Sequence, residues 1–217
     1  MRPAAAGVVL GLALAVGVPT TWALTRPPAA AGAPVEQVLP APSSTPPPAD
    51  VPVTPGVPVR DAAPAPAPAA VPPLRLEVPA LDVDAPLEES GVRPDGQMAL
   101  PDDVGRAGWY RFGPVPGAPG SAVLAGHVDD AEQGLGELAP LREAEPGQEV
   151  LVTDAAGATT RWRVVARETL DKQALPLDLL FGRDGPPRLT LVTCGGPFLP
   201  ETGGYRDNVV VVAEPAR

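Results

Sequence analysis

Sixteen of the chain's 33 prolines fall in one block, Pro27 to Pro73, and that block decides which parts of the sequence can fold at all. It contains runs such as Thr45-Pro-Pro-Pro48 and Pro64-Ala-Pro-Ala-Pro68 and has no aromatic residue. Each proline fixes φ and removes a backbone donor, so neither a long helix nor a central strand can form there. A stretch of this kind cannot bury enough apolar surface to order itself. Residues 27–73 are therefore expected to be a disordered, semi-stiff linker, extended at roughly 3.1 Å per residue where polyproline conformers persist.

On its N-terminal side, residues 3 to 25 carry no charge between Arg2 and Arg26. A membrane-spanning helix needs about 20 apolar residues, which Ala4 to Leu24 can supply. A cleaved signal peptide, with the small residues Ala29 to Ala33 near its end, is the competing reading of residues 1–26. Both readings export the rest of the chain, and Arg2 with the terminal amine favours a cytoplasmic N-terminus. The expected localisation is the cell membrane, crossed once, with the C-terminal domain outside the cell.

The third segment, residues 74–217, is the size of one domain with its own core. Leu74, Leu76 and Val78 alternate with Arg75 and Glu77, and Thr160, Trp162, Val164 and Ala166 alternate with Arg161, Arg163 and Arg167. Period two predicts half-buried strands. Further strands are predicted over Leu81–Leu87, Gln97–Leu100, Ser121–Ala125, Glu149–Thr153, Arg188–Thr193 and Asn208–Ala213, with turns at Asp95-Gly96, Pro146-Gly147 and Ala156-Gly157. Helical spacing is confined to Gly134–Leu141 and Pro176–Phe181. The fold expected is all-β, eight short strands in a closed or sandwiched antiparallel arrangement.

Charge and composition exclude several functions. Sixteen basic against 26 acidic residues give a formal charge of −10, with no basic stripe for a nucleic-acid backbone. The single Cys194 excludes an internal disulfide and a Cys-rich metal site, and the single His127 excludes paired-His metal motifs. Asp129-Asp130, Glu132 and Asp102-Asp103 read as solvated loop acids without calcium-loop spacing. No metal and no cofactor are expected.

One cysteine–histidine pair remains available for chemistry. Cys194 ends an apolar strand and precedes Gly195-Gly196-Pro197; His127 follows a strand through Gly126; Arg206 opens the last strand. If the strands carrying Cys194 and Arg206 are antiparallel neighbours, both residues lie on one rim. Such a trio supports acyl transfer: a thiolate attacks a carbonyl, an imidazolium protonates the leaving amine, and a guanidinium holds the oxygen. Adjacent His⁺ and Arg⁺ also favour thiolate over thiol. On placement alone the alternative stands beside it: a buried cysteine in a β core is commonly inert packing, and a single histidine commonly structural. Trp109 and Trp162 read as core residues.

Longer motifs bring in a family. Thr190-Leu-Val-Thr-Cys194 resembles the strand-end TLxTC motif of sortases, Ala125-Gly-His127 their histidine strand, and Tyr205-Arg206-Asp-Asn208 before Val209-Val-Val-Val212 their arginine strand. Arg106-Ala-Gly-Trp109 and Cys194-Gly-Gly-Pro-Phe198 are similar to segments of the class F sortases of high-GC Gram-positive bacteria. The resemblance implies an eight-stranded sortase-like β-barrel and a cysteine transpeptidase. Such an enzyme cuts a sorting motif between Thr and Gly, forms a thioacyl enzyme, and transfers the acyl group to an amine of a cell-wall precursor. Carried onto this chain, it makes Cys194 the nucleophile, His127 the general acid and base, and Arg206 the oxyanion stabiliser. Thr193 and Gly195, flanking the thiol, are candidate substrate contacts, with Thr193 equally readable as a β-branched filler at the strand's end. The implied partners are surface proteins or peptides bearing sorting signals, the acceptor amine, and the membrane through an uncleaved anchor. A non-catalytic β-barrel binding domain and a thiol hydrolase of the same fold are the alternatives.

Leu199-Pro-Glu-Thr-Gly203 spells the LPxTG pattern of sortase substrates inside the chain itself. A sorting signal needs a spanning apolar stretch after it, whereas only Val209 to Ala213 comes after this one. The segment is read as the loop before the arginine strand.

Overall fold

The computed structural model describes residues 28–39 and 71–216. The membrane-anchor expectation for residues 1–26 lies outside the described residues, as do residues 40–70 of the linker. No helix among the described residues is long and apolar enough to cross a membrane.

In chain order the strands are β1 (Ala30–Gly32), β2 (Pro73–Val78), β3 (Val83–Ser90), β4 (Ala107–Tyr110), β5 (Ser121–Ala125), β6 (Asp129–Asp130), β7 (Gly134–Leu135), β8 (Glu149–Asp154), β9 (Thr159–Asp171), β10 (Arg188–Leu199) and β11 (Gly204–Pro215). Two short α-helices, α1 (Val35–Val38) and α2 (Leu177–Leu180), and three 3₁₀ turns complete the described elements. Eight strands close in the order β9-β11-β10-β5-β4-β3-β2-β8, with β8 pairing back onto β9. Closure removes the free edges an open sheet would leave for aggregation. The antiparallel expectation needs correction at two joints, since β10–β5 and β3–β4 run parallel.

Inside the barrel, Leu76, Val78, Leu124, Leu189, Leu191, Val209, Val211 and the two tryptophans Trp109 and Trp162 form the main core. Both indole nitrogens are satisfied, Trp162 Nε1 donating to Thr160 Oγ1 at 2.9 Å and Trp109 Nε1 to the Pro114 carbonyl at 3.0 Å. A second cluster lies on the outer face of β9 and β11, where Val210, Val212 and Ala166 meet Val35, Leu39 and Leu180.

That second cluster corrects the linker boundary. Residues 28–39 fall inside the expected disordered block, yet β1 pairs with β9 through Ala30, Ala31 and Gly32, and Val35 is fully buried. The reason lies in β9, whose 13 residues exceed the length of β8. β8 covers one edge of β9 from Thr159 to Arg163, and β1 takes over that edge at Ala166–Glu168. Polar ties hold the strap down: Val35 N–H donates to Glu168 Oε2 at 3.1 Å, and Arg188 Nε to the Val38 carbonyl at 2.9 Å. Val35→Ala is expected to lower stability by about 2 kcal/mol, the transfer term for two methyls plus a small cavity, read as a lower urea midpoint with unchanged slope. An unshifted midpoint would show the strap undocked in solution.

Arg167 is a further correction. The alternation along Arg161, Arg163 and Arg167 predicts an outward side chain, but the register between β11 and β9 shifts between Val212 and Ala213. One extra residue reverses every side chain beyond it. Val164 therefore faces the main core while Ala166 joins the outer cluster, and Arg167 is 1% exposed. Its Nε donates to the Ala144 carbonyl and its Nη1 to the Pro28 carbonyl, each at 2.7 Å, with Glu145 at 3.7 Å from Nη2.

Gln97–Leu100 forms no strand; it folds back through a single bridge, Met98 to Val92. Pro101 comes next and cannot donate to a ladder. Gly134–Leu141 is not a helix either. Gly134–Leu135 is β7, and Ala139–Glu143 a 3₁₀ turn opened by Pro140.

Candidate active site

Three neighbouring strands, β5, β10 and β11, carry the site, with β10 in the middle. Side chains alternate along a strand, so two residues apart means the same face. On the inward face of β10 stand Leu189, Leu191 and Thr193; the other face carries Val192 and then Cys194. Cys194 pairs with Asn208, and Arg206 lies two residues from Asn208 on that face of β11. On the other side Val192 pairs with Ala125 in parallel register. Gly126 N–H donates to the Val192 carbonyl at 3.1 Å, extending the ladder one residue beyond β5. Continued two residues past β5, that register would bring His127 level with Cys194. Neighbouring strands lie about 4.8 Å apart, so the strands that lead to His127 and carry Arg206 lie on either side of the cysteine strand.

Exposure matches a reactive role. Cys194 is free and half-buried, His127 is half-buried, and the Arg206 side chain is 53% exposed. The thiol is not sealed inside the barrel.

Arg206 is held by its neighbour. Its Nε donates to Asp207 Oδ1 at 2.7 Å and its Nη2 to Oδ2 at 2.9 Å, a two-point clamp on a buried carboxylate. These hydrogen bonds hold the Asp207 carboxyl below the usual carboxylate range against the opposing effect of burial. Gly196 makes room for the clamp: its φ is +70°, and a Cβ there would stand 2.1 Å from Asp207 Oδ2. The Cys-Gly-Gly-Pro sequence thus serves the arginine as well as the cysteine.

Thr193, expected to touch substrate, turns its side chain into the barrel. It is 2% exposed, and its hydroxyl donates to the Gly126 carbonyl at 2.9 Å, tying β10 to the turn that delivers His127. Gly195 stands opposite Asp207, half-buried beside the thiol.

Residues beyond His127 form a small hairpin, β6 and β7, with Asp129 opposite Leu135. Its base is tight, since a Cβ on Gly136 would lie 2.4 Å from the His127 carbonyl oxygen. Asp130 caps the turn by accepting from Glu132 N–H at 2.8 Å and Gln133 N–H at 3.1 Å, which lowers its carboxyl from the usual range. The neighbouring Asp129 accepts a short hydrogen bond from the Tyr205 hydroxyl. That bond, with burial and the nearby Cys194 adding to it, keeps the phenol protonated above its ordinary range. Sequence reasoning does not single out Tyr205 and Asp129 as site residues, because an aspartate in an acidic loop carries no mark of its partner.

The sortase domain family model matches residues 76–216, and the three sortase-like motifs lie within that span. The chain belongs to the sortase family. Sortase A of Listeria monocytogenes superposes with a TM-score of 0.51 at 23% identity, covering 68% of this chain and 88% of that one. Sortase C-1 of Actinomyces oris gives 0.51 at 21% identity over 66% of this chain and 71% of that one. Sortase A of Corynebacterium diphtheriae gives 0.50 at 19%, over 69% and 63%. At such identities the likeness is one of fold. No curated protein matches the sequence.

In this sortase the Leu199–Gly203 segment closes the β10–β11 hairpin. Thr202 N–H donates to the Leu199 carbonyl at 3.1 Å and Gly203 takes φ +63°, so the segment is a tight turn and not an extended strand. It joins the cysteine strand to the arginine strand, as read from the sequence.

Proposed function

We propose that this sortase is a membrane-anchored cysteine transpeptidase of the class F type, working outside the cell on LPxTG-like sorting signals. The observation that carries the reading is the register of β5, β10 and β11, which supports a nucleophile flanked by an acid and a cation. The Cys194 thiolate adds to the carbonyl carbon of the motif's threonine. The Thr–Gly bond breaks, His127 gives its proton to the departing glycine amine, and a thioester remains on Cys194. An amine of a cell-wall precursor, giving a proton to His127, then attacks the thioester; the C–S bond breaks and the Cys194 thiolate leaves, restoring the starting thiolate and imidazolium. Arg206 holds the carbonyl oxygen as charge develops on it. Its clamp on Asp207 uses Nε and Nη2, which leaves Nη1 available to a substrate oxygen without the clamp being broken. Gly195 contributes backbone beside the thiol.

The test incubates the full chain with LPxTG-like and LAxTG-like peptides, with and without glycine or a diaminopimelate-type amine. A covalent adduct retaining the peptide up to its threonine, converted to ligated product by the amine, is expected. Hydrolysis alone would make it a thiol hydrolase, and no adduct from any peptide would remove the enzymatic reading. Arg206→Ala is expected to slow adduct formation by about 10²- to 10³-fold with an unchanged circular dichroism spectrum. Undiminished turnover in that variant would discard the oxyanion role.

A further inference from the structure

We propose that Tyr205 is a positioning residue of the acyl-transfer site, acting through Asp129 to fix the histidine-bearing hairpin over Cys194. The inference deepens the cysteine–histidine reading above and rests on it. His127 is the first residue of a loop whose outer part, from Asp130 to Leu135, is exposed. At its root the loop is fixed through Gly126 to β10, and Gly136 N–H donates to the Val128 carbonyl at 2.9 Å. On one flank it leans on residues 102–104: Gln133 Nε2 donates to the Asp102 carbonyl at 2.9 Å, and Glu137 N–H to the Val104 carbonyl at 2.9 Å. On the flank that faces the cysteine and arginine strands, the hydrogen bond formed among the described residues is that from Tyr205 to Asp129.

The two ends of this link are placed to matter. Asp129 lies two residues after His127, and Tyr205 immediately precedes Arg206. Tyr205 is itself braced: it pairs with Phe198 across the hairpin, ring edge to ring face, with centroids 5.3 Å apart at 75°. Phe198 is 52% exposed, and its ring packs on Tyr205 at the surface of the hairpin. The clasp therefore joins the loop after His127 to the hairpin of β10 and β11, with the hydroxyl donating to the carboxylate and the ring packed on Phe198. A catalytic base displaced by about 1 Å loses on the order of 100-fold in rate, so one such bond suffices to matter.

The test uses Tyr205→Phe, which removes only the hydroxyl and keeps the ring on Phe198, together with Asp129→Ala and Asp129→Asn, the last retaining an acceptor oxygen. In the full chain, Tyr205→Phe and Asp129→Ala are each expected to lower kcat about tenfold or more with peptide KM within about twofold of wild type. Asp129→Asn is expected to stay close to wild type, and the double variant Tyr205→Phe/Asp129→Ala to be no slower than either single one. Because His127 is the only histidine, its imidazole ¹⁵N resonances form one spin system and report its position without any turnover. They are expected to shift or broaden in Tyr205→Phe and Asp129→Ala and to overlay wild type in Asp129→Asn. Wild-type kcat in Tyr205→Phe, additive losses, or imidazole spectra that overlay wild type in all three variants would overturn the proposal. If wild type forms no thioacyl adduct, the transpeptidase reading fails separately, and the imidazole spectra still decide whether the clasp holds His127.

Discussion

Cys194→Ala is expected to leave no thioacyl adduct and to reduce turnover by about 10⁴-fold or more, while the domain keeps its fold. The size of the loss comes from the chain holding a single sulfhydryl: no second thiol can take over the covalent step. The fold should tolerate the change because Cys194 is only half-buried and in no disulfide. The pairing of Cys194 with Asn208 is carried by backbone, and alanine retains the Cβ. Peptide binding should also survive, since Arg206 and its clamp on Asp207 are untouched. Intact-mass spectrometry after mixing with peptide reads the adduct, and fluorescence titration reads binding. Cys194→Ser separates shape from chemistry: it restores the geometry but offers a hydroxyl that ionises far less readily, so it should bind as alanine does and turn over little better. An adduct on Cys194→Ala would place the nucleophile elsewhere and dissolve the site described above.

Much of the fold is legible because period two survives wherever one face of a strand meets the core. Trp162 and Val164 alternate with Arg161 and Arg163 and lie as that pattern requires. Legibility ends where geometry breaks the period. The extra residue near Val165 carries Arg167 inward, a reversal that no local composition announces. β4 escapes a reading by pattern because Ala107, Gly108 and Trp109 are all buried, leaving no alternation to read. The strap of residues 28–39 is hidden inside a proline-rich block, because what orders it is the uncovered edge of β9, more than a hundred residues further along the chain. Cys194, His127 and Arg206 stand out as candidates because each is scarce or sits in a motif at a strand end. Thr193 can be named but not oriented, since its role depends on which face of β10 it occupies. Tyr205 and Asp129 acquire meaning only through contact across 76 positions of sequence.

The same register that makes the cysteine accessible makes His127→Ala the sharpest test of how the site works. An amide nitrogen leaves only when protonated, and His127 is the titratable ring that follows β5, the strand beside the cysteine strand. General acid–base assistance of this kind is worth about 10²- to 10⁴-fold, and His127→Ala is expected to lose that much on a peptide substrate. Because the ring is half-buried at the start of an exposed hairpin, the thermal midpoint should move little. A structural histidine and an acid catalyst are told apart by the leaving group. An activated ester of the same acyl peptide departs without protonation, so its thioacylation should fall far less than that of the amide in the same variant. Arg206→Ala, by contrast, removes a contact to the carbonyl oxygen that both substrates share, and should slow them alike. Equal losses on ester and amide in His127→Ala would mean that the imidazole only tunes or places the thiol, and the proton for the departing amine would then have to come from water.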